Sequence, residues 1–186
     1  PEAADEYLDY LAKEIELRSH QVSPEREVVQ LHYGGGTPTF FDEDQLGRLR
    51  ELIKNNFRSS DDAELSIEID PRTMGPDQPK LLAVQGFRRA SLGVQDFNFQ
   101  VQKAVHRIQS EELTRSTVDQ LRNVGFTSIN VDLIYGLPHQ TAESFAETLE
   151  GTLALKPDRF AVFNYAHVPW MIPAQRIIKE DTLPAP

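Results

Sequence analysis

Apolar and polar positions along the chain follow two alternating periods. From Ala3 to Arg18 a helical period puts Leu8, Leu11 and Ile15 on one face. Val28 to Tyr33 reads as extended, rich in β-branched and aromatic residues. Asp42 is placed to cap the next helix, with Gln45 three residues on as a capping box requires, and Leu46, Leu49, Ile53 and Phe57 form its apolar stripe. Ala63 to Ile69 alternates strictly, Leu65, Ile67 and Ile69 facing one way and Glu64, Ser66 and Glu68 the other. A short helix over Lys80 to Gln85 stops at Gly86, and Arg89 to Gln95 is the next strand. Ser110 opens a helix carrying Leu113, Val118 and Leu121 that stops at Gly125, followed by a strand from Ser128 to Tyr135. Thr141 caps a helix with Phe145, Leu149 and Leu153 in register, and Arg159 to Tyr165 is the last strand. Residues 168–186, with Pro169, Pro173, Pro184 and Pro186, read as an irregular tail with a helical turn near Gln175.

Helix and strand therefore alternate five times, with strand starts roughly 25–40 residues apart, the length of a βα unit. Right-handed crossovers turn that order into a parallel sheet with helices outside. Open doubly wound sheets and (β/α) barrels both satisfy the pattern. Glu68, Gln95, Asp132 and Asn164 lie in the C-terminal halves of their strands, and Gly34 to Thr37 follows another. A barrel gathers such strand ends at one mouth, so the pattern favours a single domain over residues 1–186 that forms a partial barrel, since five strands cannot close a full one. Gly35, Glu68, Gln95, Asp132 and Ala166 should then stand at one rim, and Leu31, Ile67 and Val131 should be buried.

Composition removes several classes of function. With 39% hydrophobic and 26% charged residues in 186, the chain has the makings of a packed core. A formal charge of −10 disfavours nucleic acid and anionic lipid as partners. No apolar run is long enough to span a membrane and no signal peptide is apparent, so a cytoplasmic location is expected. There is no cysteine, which excludes disulfides and any thiolate metal site made by this chain alone. The five histidines, at 20, 32, 106, 139 and 167, do not pair at the i, i+4 spacing of a helical metal site, so no metal ligands are assigned.

The candidate chemistry sits at the strand ends. Leu31-His32-Tyr33-Gly34-Gly35-Gly36-Thr37-Pro38-Thr39 is an extended run that stops at three glycines and a Thr-Pro turn. Glycines there permit close approach or positive φ, and the exposed N–H groups suit an anionic or zwitterionic small molecule. Neither a P-loop nor a Gly-x-Gly-x-x-Gly accompanies them. Glu68 has the charge for an ammonium or the acceptors for ribose hydroxyls; a local turn bond is the plainer alternative. Gln95 both donates and accepts, as a sugar hydroxyl requires. Arg107 offers a fork for a carboxylate, set against an ordinary solvated arginine. Asp132 in the apolar run Val131 to Ile134 is costly unless partnered.

His32 to Thr39, Ser66-Ile67-Glu68-Ile69-Asp70-Pro71-Arg72, Ser91-Leu92-Gly93-Val94-Gln95-Asp96-Phe97, Asn130 to Pro138 and Phe163-Asn164-Tyr165-Ala166-His167-Val168-Pro169 together resemble the oxygen-independent coproporphyrinogen III oxidase family, radical S-adenosylmethionine (SAM) enzymes of haem synthesis. The resemblance covers essentially the whole chain. It implies a partial (β/α)6 barrel, truncated here, of parallel strands with outer helices. It implies SAM and a 4Fe-4S cluster as cofactors, coproporphyrinogen III as substrate, and an electron donor. The family's reaction is oxidative decarboxylation of two propionates. Carried over position by position, Gly35, Gly36, Thr37, Glu68, Gln95, Arg107, Asp132 and Ala166 match the family's SAM-contacting positions. The cluster-binding Cys-x-x-x-Cys-x-x-Cys loop has no counterpart, so the chain is expected to be the middle of a catalytic domain. On that reading it lacks the first strand, the cluster loop and a C-terminal region, and is inactive alone. A haem chaperone of the same superfamily and a non-catalytic SAM-binding scaffold are the alternatives.

Overall fold

In the computed structural model, which describes residues 2–184, the two periods resolve into helices and strands in the expected alternation. The elements are α1 (Glu2–Ser19), β1 (Val28–Tyr33), α2 (Glu43–Asn56), β2 (Ser59–Ile69), α3 (Gln78–Val84), β3 (Arg89–Gln95), α4 (Phe99–Ala104), α5 (Glu111–Asn123), β4 (Ser128–Tyr135), α6 (Ala142–Ala154) and β5 (Arg159–Asn164). The strands form one sheet in chain order, with β1 and β5 at its edges. β1 pairs parallel with β2, and β4 with β5. Among the described residues no helix is long and apolar enough to cross a membrane. The chain divides into two compact units, Pro1–Ile69 with Thr73–Ala90 and Leu121–Thr127, and Asp70–Arg72 with Ser91–Gln120 and Ser128–Pro186.

In the first unit, the β1–β2 register sets Leu31 opposite Leu65, His32 opposite Ser66 and Tyr33 opposite Ile67, with an irregularity between Val28 and Gln30. Leu65, Ile67 and Ile69 are buried, and the other β2 face carries Glu64, Ser66 and Glu68. Leu8 and Ile15 of α1, Leu46, Leu49 and Ile53 of α2, Leu82 of α3 and Phe87 supply the rest of this core. The capping box at Asp42 and Gln45 forms as expected, each side chain bonding the other residue's backbone N–H, at 2.9 and 3.1 Å. Tyr33 packs on Phe87 with ring centroids 4.9 Å apart. Burial pushes its hydroxyl up to about 12 against the opposing charge of Arg50.

In the second unit, Val94, Val131 and Leu133 form a buried cluster against Phe97, Phe145 and Leu149. Thr141 and Ser144 form the capping box of α6. The tail carries 3₁₀ turns at Pro173–Ile177 and Glu180–Thr182, as far as residue 184; residues 185 and 186 of the expected tail, like residue 1, lie outside the described residues.

The departures have simple causes. Leu31 is only half-buried, because β1 is an edge strand, whereas Ile67 and Val131 are fully buried as predicted. Leu113, in the first turn of α5, and Leu153, in the last turn of α6, fit the helical register yet remain exposed. β2 starts four residues before Ala63, since Ser59-Ser60-Asp61-Asp62 has no apolar alternation to reveal it. α4 has no stop-and-start signature of its own beyond Asn98, whose side chain accepts from the N–H groups of Gln100 (2.9 Å) and Val101 (3.3 Å).

Candidate functional site

The strand faces that turn away from the apolar core are lined with polar side chains that bond one another. In the first unit this face holds Gln30 and His32 of β1 and Glu64, Ser66 and Glu68 of β2. Gln30 donates to Glu64 at 3.0 Å, and Arg89 also pairs with Glu64. His32 Nδ1 lies 2.8 Å from the Ser66 hydroxyl, and Nε2 lies 3.4 Å from Glu68 Oε1. The Gly35 N–H donates to Glu68 Oε2 at 3.1 Å. The glycine turn and the carboxylate singled out from the sequence are therefore in direct contact.

The three glycines serve different ends. Gly35 (φ +77°) and Gly36 (φ +66°) occupy the left-handed region, and nothing stands within 4 Å of where a Cβ would be, so they supply conformation beside open space. A Cβ on Gly34 would fall 2.6 Å from His32 Nε2 and 2.9 Å from Glu68 Oε1, so that position is glycine for room. Thr37 precedes the 3₁₀ turn Pro38–Phe40 without a side-chain cap bond. The turn is anchored from below by buried Gln78, which donates to the carbonyls of Phe41 (2.6 Å) and Thr39 (3.4 Å) and accepts from Gly75 N–H at 3.0 Å. Sequence reasoning missed Gln78, because a glutamine at a helix start reads as solvated.

In the second unit the polar face comprises Ser91, Gly93 and Gln95 of β3 and Asn130 and Asp132 of β4. Asp132 is partnered, as a carboxylate in an apolar strand must be: Ser91 donates at 3.0–3.1 Å and Asn130 at 2.7 Å. Arg107 is not a surface residue. Its Nη2 donates to the Gly93 carbonyl at 2.9 Å, its Nη1 lies 3.3 Å from Asp70 Oδ2, and its Nε is buried with no partner. A Cβ on Gly93 would meet Arg107 Nη2 at 2.9 Å and Gln95 Nε2 at 3.0 Å, so the absence of a side chain there makes the hollow in which the two tips meet. Ala166 is exposed, and its carbonyl accepts from Gln175 at 2.9 Å.

Asp70 joins the two arginines. It accepts from the Arg72 N–H and Nε at 3.0 Å and from Nη2 at 2.6 Å. Burial works to raise the Asp70 pKa, but the Arg72 hydrogen bonds and the charges of Arg107 and Arg72 outweigh it and hold the carboxyl below its usual range. Arg107 is shifted down, chiefly by burial and also by Arg72, against the attraction of Asp70. Two guanidiniums share one carboxylate, which leaves a surplus positive charge, and the unpaired Nε of Arg107 is a buried donor that a carboxylate would satisfy.

A family profile described as the Radical SAM superfamily matches residues 4–150. The chain is 51% identical over 183 residues to the oxygen-independent coproporphyrinogen III oxidase of Escherichia coli strain K12, covering 98% of this chain and 40% of that protein. It is 52% identical over 180 residues to the oxidase of the same name from Helicobacter pylori strain 26695, covering 96% of this chain and 39% of that protein. The solved structure of coproporphyrinogen III oxidase from Escherichia coli, described as a radical SAM enzyme, matches with a TM-score of 0.96 at 51% identity over 99% of this chain and 42% of that one. The chain thus spans about 40% of the length of the curated relatives it matches. The fold is that of the matched structure, an α/β partial barrel of parallel strands with outer helices.

Proposed function

The chain belongs to the radical SAM superfamily, and from that premise we propose that it is the SAM-binding portion of an oxygen-independent coproporphyrinogen III oxidase. What supports the reading is 51% identity across nearly the whole chain, together with a TM-score of 0.96. The donor set fits SAM. In the first unit, the Glu68 carboxylate, held by the Gly35 N–H, faces the SAM ammonium, and the N–H groups of Gly36 and Thr37 take the rest of the methionyl end. In the second unit, Arg107 offers its unpaired Nε to the SAM carboxylate. Gln95 and Asp132 bond hydroxyls, with Asp132 held in place by Ser91 and Asn130, and Ala166 gives an unhindered apolar seat for adenine. When bound, SAM supplies the radical chemistry that converts two propionate side chains to vinyl groups with loss of carbon dioxide.

The residues present do not fit a 4Fe-4S cluster. The chain has no cysteine, and among the described residues no group of three or more His, Cys, Asp or Glu is placed to hold a metal ion. In this reading the thiolate ligands are supplied by polypeptide outside these 186 residues, and the 186-residue chain alone takes up no cluster and cleaves no SAM.

The test is a chimera in which this chain replaces the matched 40% of the Escherichia coli relative. After anaerobic cluster loading, equilibrium dialysis should show saturable SAM binding, and reduction should release 5′-deoxyadenosine. A folded, cluster-loaded chimera that binds no SAM would refute the assignment.

A further inference from the structure

The first residue after β3, Asp96, is 1% exposed, and its carboxylate is the centre of a closed hydrogen-bond network within the second unit. Its Oδ1 accepts from the Asn98 N–H (2.5 Å) and the Thr148 hydroxyl (3.1 Å), and its Oδ2 accepts from Gln140 Nε2 (2.6 Å). Gln140 in turn donates to the Ile134 carbonyl (3.0 Å) and accepts from the N–H groups of Gly136 (2.6 Å) and Leu137 (3.3 Å). Thr148 also accepts from the Phe97 N–H at 3.1 Å, and Gln102 donates to the Asp96 carbonyl at 2.8 Å. One buried carboxylate thus ties the exit of β3 to the exit of β4 and to α6.

The residue just before it has an unusual backbone. Gln95 has φ +68°, and the Asp96 N–H donates across it to the Val94 carbonyl at 2.9 Å. An i to i+2 bond around a positive φ is the rarer, strained form of γ-turn, uncommon for any residue but glycine. Such strain persists only where the surroundings over-determine it. Here the surroundings are the bonds that converge on Asp96. The turn delivers the Gln95 amide over Gly93, next to the Arg107 guanidinium.

We propose that Asp96 is a positioning residue: its carboxylate, clamped by Gln140, Thr148 and the Asn98 N–H, holds the strained turn at Gln95 and so presets the Gln95 amide for SAM. This rests on the reading of Gln95 as a SAM contact. Asp96→Asn keeps the shape but turns an N–H₂ donor toward Gln140 Nε2, also a donor. Relief requires flipping the Gln140 amide, which breaks its bonds to Gly136 and Leu137. Thr148→Val is the milder change, removing one donor to Asp96 and the acceptor for Phe97.

Two measurements decide it: hydrogen exchange on the full 186-residue chain, and SAM binding on the cluster-loaded chimera. Amide hydrogen exchange at residue 96, whose N–H closes the turn, should speed up at least tenfold in folded Asp96→Asn or Thr148→Val. SAM affinity by equilibrium dialysis should fall roughly five- to tenfold in each, which is about 1–1.4 kcal/mol. In a Gln95→Ala background the same changes should cost no further affinity, a non-additivity that a merely structural role would not give. If exchange at residue 96 is unchanged in folded Thr148→Val, or if the affinity loss is the same with and without the Gln95 amide, the proposal is overturned. A folded, cluster-loaded wild-type chimera that binds no SAM overturns the ligand role, while the exchange measurement still decides the clamp.

Discussion

Replacing Arg107 by alanine removes the carboxylate contact of the proposed site. The guanidinium has three engagements to lose: its bond to the Gly93 carbonyl, its ion pair with Asp70, and the unpaired Nε that the proposal assigns to the SAM carboxylate. The first two need not be fatal to the fold. Asp70 retains its contacts with Arg72, and Gly93 keeps its place in β3. The ligand bond is a hydrogen bond to a charged group in a mostly buried position, contributing about 1.5–3 kcal/mol. At 1.4 kcal/mol per factor of ten, Arg107→Ala should weaken SAM binding roughly 10–100-fold. Arg107→Lys should recover only part, because an ammonium has no Nε in that position and no second parallel donor. The assay is a SAM titration of the cluster-loaded chimera, with circular dichroism to establish that each variant is folded. An alanine variant that is folded and binds SAM like the parent would refute the role given to the unpaired Nε.

Gly34→Ala should cost less than about 1 kcal/mol in urea unfolding, since the clashing atoms end flexible side chains, yet it should weaken SAM binding several-fold by displacing His32 and Glu68; unchanged binding would mean Glu68 is not a contact. Ile67→Ala should destabilise the chain by about 2–5 kcal/mol, and Leu31→Ala on the half-buried edge strand by only about 1 kcal/mol, so equal losses in denaturant titration would contradict the sheet order. Asp70 has a folded-state pKa below its unfolded value of about 4, so it contributes stability above that pH which is lost as pH falls through the folded value. Acid titrations of thermal stability should therefore show a shallower loss for Asp70→Asn than for wild type, and identical slopes would show that the pairing with Arg72 and Arg107 has no energetic weight.

The sequence reveals the fold through features with few alternatives. The alternation of Leu65, Ile67 and Ile69 against Ser66 and Glu68, and the capping residues Asp42 and Thr141, give the elements and their faces, because period and cap chemistry are local. The contact between Glu68 and Gly35 was foreshadowed only by both lying at strand exits; their bond depends on a register of β1 against β2 that no local pattern encodes. Arg107 reads as solvated when judged by residue type, because its burial depends on Gly93 fourteen residues earlier and on Asp70 beyond that. Asp96, Gln140 and Gln78 were invisible as anchors for the same reason. Buried polar residues are satisfied by distant partners, and one chain without its fold shows only that a polar residue is present.

The most direct test of the central claim is product analysis of the cluster-loaded chimera, given SAM, a reductant and coproporphyrinogen III without oxygen. The account predicts protoporphyrinogen IX, seen by mass spectrometry as the loss of two carboxyl groups and the gain of two vinyl groups, together with 5′-deoxyadenosine. A folded chimera that binds cluster and SAM and leaves coproporphyrinogen III unchanged, while the unaltered Escherichia coli enzyme converts it, would contradict the account.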